Sequence, residues 1–198
     1  MPRNCFDEGE YLEMLSRRVA IPTESQNPER LPELGRYLTD EIGPAFEAMG
    51  HGFTTFENPV AGGGPVLLAE RIEDPALPTV LGYGHGDVIR GYDEPRFEGL
   101  NPWVTSQDGD KLYGRGTADN KGQHTINMCA MAVALKARGR LGFNSKFMVE
   151  TGEENGSAGL AEIVEANKAR FAADVFIASD GPRVVPDVNA GVSVMIKV

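Results

Sequence analysis

One figure recurs along this chain and limits how it can fold: a short apolar run that stops abruptly on a charged turn. Residues 79–83 (TVLGY) stop at Gly84-His85-Gly86-Asp87, residues 145–151 (SKFMVET) at Gly152-Glu153-Glu154, and residues 175–179 (VFIAS) at Asp180-Gly181. Between them lie helical segments at about residues 121–138 and 158–169. Near-continuous apolar strands separated by helices predict an α/β domain, its sheet covered on both faces and its central strands parallel. Two more strand-like runs, residues 52–57 and 66–71, come earlier in the chain. Two amphipathic helices precede those. The first spans about residues 7–20, with Asp7 as N-cap and Glu10 at capping-box spacing. The second spans about residues 30–49, with Gly43-Pro44 as a break or kink. Residues 89–110, polar and rich in Gly, Pro and Asp, read as an ordered surface loop of the kind that carries function.

Composition removes several classes of function. The net charge is −10, and a nucleic-acid surface needs the opposite sign to meet phosphates. No stretch approaches the roughly 20 apolar residues of a membrane span, and the first residues carry acids where a signal peptide is basic and then apolar. These features predict a cytoplasmic protein with no nucleic-acid or membrane partner. The two cysteines, Cys5 and Cys129, form neither a disulfide framework nor a zinc spacing. Cys129 sits in a helix-like run as a small buried hydrophobe.

In an open α/β sheet, ligands gather where strands end at their carboxyl side. His85, Asp87, Glu153, Glu154 and Asp180 all arrive at that edge. Asp119 joins them from Gly114-Arg115-Gly116-Thr117-Ala118-Asp119-Asn120, a glycine-rich turn that feeds a helix. Histidine with carboxylates is a ligand set for Zn²⁺ or a similar divalent ion, and a shared carboxylate can bridge two ions. Asp87, two residues from His85, is placed to hold the imidazole N–H. Glu153 and Glu154 point apart on an extended chain, so one can bind metal while the other serves as general base. Blander readings stand beside each: a hydrogen-bonded structural histidine, a solvated pair of glutamates, and Asp119 as a helix cap. Gly82-x-Gly84-x-Gly86 lacks dinucleotide-loop spacing and no helical run follows it, which leaves a nucleotide-binding domain little weight. His51 and His124 have no acidic pattern around them and read as structural or surface residues.

The stretches YGHGDV, DGDKLYGRGTADNKG, ETGEENGSAGL and ASDG, with the opening RRVAIPTESQNP, resemble the aminoacylase/carboxypeptidase/dipeptidase family of two-metal hydrolases (peptidase family M20). That resemblance implies a three-layer, zinc-exopeptidase-like α/β domain with a mostly parallel central sheet. It implies two divalent ions, Zn²⁺ first, with Mn²⁺ or Co²⁺ in some members. His85 and Asp180 would bind one, Glu154 the other, and Asp119 both. Glu153 would be the base that serves a metal-bound water and Asp87 the support of His85. Asn120 stands where many relatives carry an aspartate, a change expected to affect metal binding little. The implied reaction is hydrolysis of a small peptide or an N-acyl amino acid. The dipeptidase and carboxypeptidase branches are favoured over deacylase and deacetylase, and a non-catalytic metal-binding module of the same fold is the alternative. Relatives are about twice this length, so residues 1–190 are expected to be the N-terminal part of the catalytic domain. Residues 191–198 are then the junction to, or first strand of, a small domain that makes a homodimer. A chain without that domain and without the family's last histidine ligand is expected to be poorly active alone.

Overall fold

The computed structural model describes residues 9–91, 99–109 and 111–180, together with the backbone of residues 192–196. Helix α1 (Glu10–Val19) is followed by a helical stretch made of α2 (Leu31–Arg36), a π-helical turn (Tyr37–Ile42) and α3 (Gly43–Glu47). Strands β1 (Gly52–Phe56), β2 (Val66–Arg71) and β3 (Thr79–His85) come next, then a small hairpin of β4 (Ser106–Asp108) and β5 (Lys111–Tyr113). Helix α4 (Lys121–Arg138), strand β6 (Asn144–Glu150), helices α5 (Leu160–Ala166) and α6 (Lys168–Phe171), and strands β7 (Val175–Ser179) and β8 (Val192–Ile196) complete the order.

Six strands form one sheet in the order β1-β2-β6-β3-β7-β8. As expected for strands joined through helices, β3 runs parallel to both β6 and β7. The flanking pairs β1/β2, β2/β6 and β7/β8 are antiparallel. Side chains alternate across the sheet and both faces are buried. Leu67, Ala69, Phe147 and Val149 face a layer built from Tyr37, Leu38, Ile42, Phe46 and Met128. Val66, Leu68, Leu81 and Met148 face Ile163 and Phe171 on the other side. That double burial is why the runs are apolar at every position rather than every second one.

Four local expectations change. Helix α1 starts after Gly9, which takes a left-handed conformation at φ 81° and offers no side-chain cap; Asp7, the expected cap, lies outside the described residues. Glu10 and Glu13 in the first turn and Arg17 and Arg18 in the last suit the helix dipole instead. The second helix is neither broken nor ended at Gly43-Pro44. Pro44 has no N–H to return to the carbonyl four residues back, and the ladder widens into a π turn before resuming. The segment read as a loop to residue 110 contributes a strand, β4, to a hairpin. The helix expected over 158–169 is two short helices that part at Asn167, whose amide donates to the Ile163 carbonyl. Among the described residues no helix is long and apolar enough to cross a membrane. Cys129 is buried; Cys5 lies outside the described residues.

Candidate metal centre

The parallel strands β3, β6 and β7 deliver their carboxyl ends to one rim. His85 is the last residue of β3 and completely buried. Its Nε2 lies 2.9 Å from Asp119 Oδ1, 3.8 Å from Glu153 Oε2 and 3.9 Å from Asp180 Oδ2. Its Nδ1 faces Asp87, 3.1 Å from the backbone carbonyl and 3.3 Å from Oδ1. All six residues singled out in the sequence therefore meet around one imidazole. Two sets of potential ligand atoms lie within 4.8 Å of one another: His85 with Asp119 and Asp180, and His85 with Glu153 and Glu154.

Glu153 and Glu154 do not sit on an extended chain. They open a 3₁₀ turn, Glu153–Asn155, closed by Gly156 at φ 79°. In that turn neighbouring carboxylates need not point apart, and both reach His85. Asp87 holds the turn in place. Its two carboxylate oxygens accept the backbone N–H groups of Glu153 (3.2 Å) and Glu154 (3.1 Å). One fully buried aspartate thus orients the imidazole and both glutamates. Asp119 is not a helix cap; its carboxylate is spent on His85, and α4 begins after Asn120 without a side-chain cap.

The electrostatics ask for positive charge. Burial pushes the His85 imidazolium down, but hydrogen bonds to Asp119 and Asp87 outweigh it and hold the ring's pKa up at about 10. The bond to His85 holds Asp119 below its ordinary value. Burial raises Glu153 and Glu154, and neighbouring carboxylates add to it in both. A rim with five carboxylates and one imidazole is short of cations. Histidine nitrogen and carboxylate oxygen are donors that divalent ions such as Zn²⁺ accept, and the donor set fits such an ion.

Residues that the sequence reading left aside also support the rim. The loop after α1 lies along β3's extension: Glu24 bridges to Val88, the Thr23 hydroxyl donates to the Gly86 carbonyl, and Gln26 Nε2 donates to the Glu154 carbonyl at 3.1 Å. Tyr83 Oη and Ser157 Oγ both donate to Glu150, a buried acid at the end of β6. Asn120 is fully buried, with its Oδ1 3.2 Å from the His85 backbone N and its Nδ2 2.7 Å from the Ser179 carbonyl. His124 is buried against it, and His51 is buried beside Ser145, with Nε2 3.1 Å from Oγ. No local pattern announces these contacts, since Asn120 reaches partners 35 and 59 residues away.

Known proteins resemble this chain in sequence and in fold. Residues 81–193 match the model of peptidase family M20/M25/M40. The human Beta-Ala-His dipeptidase is 39% identical over 122 residues, 59% of this chain and 23% of that protein. The Cys-Gly metallodipeptidase DUG1 of Candida albicans is 30% identical over 175 residues, 78% of this chain and 34% of that protein. The crystal structure of human carnosine dipeptidase 1 superposes with a TM-score of 0.81 at 31% identity, over 90% of this chain and 40% of that one. The chain thus spans about a quarter to two-fifths of the length of these relatives. With the family model matched across more than half of its residues, from β3 to β8 and through every residue of the rim, the chain belongs to peptidase family M20/M25/M40.

Proposed function

We propose that this chain builds the metal-binding heart of a hydrolase that cleaves peptide bonds in dipeptides or similarly small peptides. The observation that carries the reading is the convergence of five carboxylates on one buried imidazole at the ends of three parallel strands. His85 and Asp180 would hold one divalent cation, Glu154 a second, and Asp119 both; Zn²⁺ suits this nitrogen and oxygen set first, with Mn²⁺ or Co²⁺ as alternatives. Bound there, the cations supply the Lewis acidity that polarises an amide carbonyl and makes water a better acid.

The protein's own groups do the rest. Glu153 shares the turn with Glu154, and burial raises its proton affinity. That suits a carboxylate that takes a proton from the attacking water and gives it to the leaving amine nitrogen. Asp87 keeps the glutamates in register through its carboxylate, which accepts their backbone N–H groups, and the imidazole through its backbone carbonyl. The printed names of the relatives, Beta-Ala-His dipeptidase and Cys-Gly metallodipeptidase, support a dipeptide substrate. Of the chain's three histidines, only His85 faces the rim, and turnover by residues 1–198 alone is expected to be weak.

The test uses the full-length protein that carries this chain, assayed on β-Ala-His and Cys-Gly with added Zn²⁺, Mn²⁺ or Co²⁺. Glu153→Gln is expected to lower turnover at least about 100-fold, within the range of a lost general base, while bound metal stays within about threefold of wild type. Hydrolysis that survives both chelation and Glu153→Gln would overturn the reading. Metal binding without hydrolysis of either peptide would favour a non-catalytic metal-binding module.

A further inference from the structure

We infer that Asn120 is a positioning residue: its amide, braced by His124 and Tyr37, sets the distance between the ends of β3 and β7 on which His85 and Asp180 ride. The consequence for metal rests on the proposed function above; the geometry does not.

Chemistry fixes which way the amide faces. The His85 backbone N–H can only donate and the Ser179 carbonyl can only accept, so Oδ1 must face the first and Nδ2 the second. The rest of the chain of contacts then follows. Gln123 turns its Oε1 toward Nδ2. His124 Nδ1, 3.2 Å from Oδ1, must carry the ring proton, which leaves Nε2 bare to accept from the Tyr37 hydroxyl at 2.6 Å. Every donor and acceptor position of the Asn120 amide is filled. Burial keeps this chain neutral, holding His124 well below the ordinary imidazole range and pushing the Tyr37 phenol up.

The glycines of Gly84-His85-Gly86 point the same way. Neither has a positive φ among the described residues, so they do not serve a left-handed turn. A Cβ on Gly84 would stand 2.8 Å from His124 Cβ and 2.9 Å from Asn120 Oδ1, and one on Gly86 would run into the Tyr37 ring. The two glycines that flank the candidate ligand are the clearance through which Tyr37, His124 and Asn120 reach the strand. An aspartate at position 120 would match Asn120 in size but not in function. It has no N–H, and as a carboxylate it would set an oxygen against the Ser179 carbonyl. This geometry speaks against the expectation that the exchange between Asn and Asp affects metal binding little.

The test has one readout that needs no metal and one that does. Imidazole ¹⁵N shifts of the wild-type chain, recorded in chelator, are expected to show His124 as the Nδ1–H tautomer. Zn²⁺ affinity, measured by chelator competition, is expected to fall about 10- to 100-fold in Asn120→Ala, the range for residues that orient ligands. Asn144→Ala, at the opposite rim, serves as a control for lost stability and is expected to keep its affinity. An Nε2–H tautomer in the wild type overturns the inference, as does a loss below about fivefold in Asn120→Ala or an equal loss in Asn144→Ala. If the wild-type chain binds no Zn²⁺, the metal reading fails, and the tautomer, read without metal, decides whether the bracing exists.

Discussion

The two ends of the parallel strands are built from the same residue types and behave oppositely. At the amino ends, acids and amides are consumed by backbone. Asn144 Oδ1 accepts the N–H groups of Glu73 and Asp74, and its Nδ2 donates to the carbonyls of Asp74 and Leu77. Asp174 accepts the Thr79 N–H, and Glu73 accepts those of Leu141 and Gly142. These backbone bonds hold the Glu73 carboxyl below its ordinary range. At the carboxyl ends, Glu153 and Glu154 are raised instead, first by burial and then by neighbouring carboxylates, Asp87 and Asp119 among them for both. One rim satisfies its acids with backbone N–H groups; the other gathers carboxylates whose proton affinity is raised. A folded chain that tolerates such a rim trades stability for a site.

The contrast can be broken most forcefully with metal. Zn²⁺ at about 100 times its Kd is expected to stabilise the chain by about 2.7 kcal/mol, which raises Tm by roughly 5–10 °C for a chain of this size. His85→Ala should abolish the shift. A shift retained in that variant, followed by differential scanning fluorimetry, would place the ion elsewhere.

Asn144→Ala tests the other rim. It strips four backbone groups of a buried partner and is expected to cost about 2–3 kcal/mol, with Zn²⁺ affinity unchanged. A variant that unfolds with wild-type stability in urea would mean that water replaces the amide without loss.

The smallest effect is in pH, and its sign differs between the rims. Glu73 has a lowered pKa in the folded chain, so its contribution is present above the unfolded carboxylate value and lost as pH falls through the folded one. Glu153 and Glu154 have raised values; their folded forms keep protons the unfolded chain has released, and stability falls as pH rises through that window. In chelator at neutral pH, Glu73→Gln should therefore lower Tm, and Glu153→Gln or Glu154→Gln should raise it. Both differences should shrink toward pH 4. Shifts of one sign at both rims would remove the distinction.

Much of this was legible in the residues, for identifiable reasons. Strands buried on both faces leave unbroken apolar runs, so β3, β6 and β7 could be read from sequence within two residues at either end. The polar residues that follow such runs share a rim because parallel strands end together. Other features left no local mark. The π turn follows from one missing N–H at Pro44, and α1 opens on a glycine rather than an aspartate. The turn that brings Glu153 and Glu154 to the same side depends on Asp87, 66 and 67 residues earlier. The contacts of Tyr37 with His124, 87 residues apart, exist only once the helices pack. Residue types announced the candidate ligands; the amides and glycines that aim them needed the fold.

The central claim is that the carboxyl rim is a divalent-metal site. Equilibrium dialysis of the wild-type chain, Glu153→Gln and His85→Ala against Zn²⁺, with metal counted by elemental analysis, tests it directly. The account predicts retained Zn²⁺ in the wild type and in Glu153→Gln, and an affinity for His85→Ala lower by more than the roughly 100-fold that a supporting residue can account for. Wild type and His85→Ala binding the same amount of metal would contradict it.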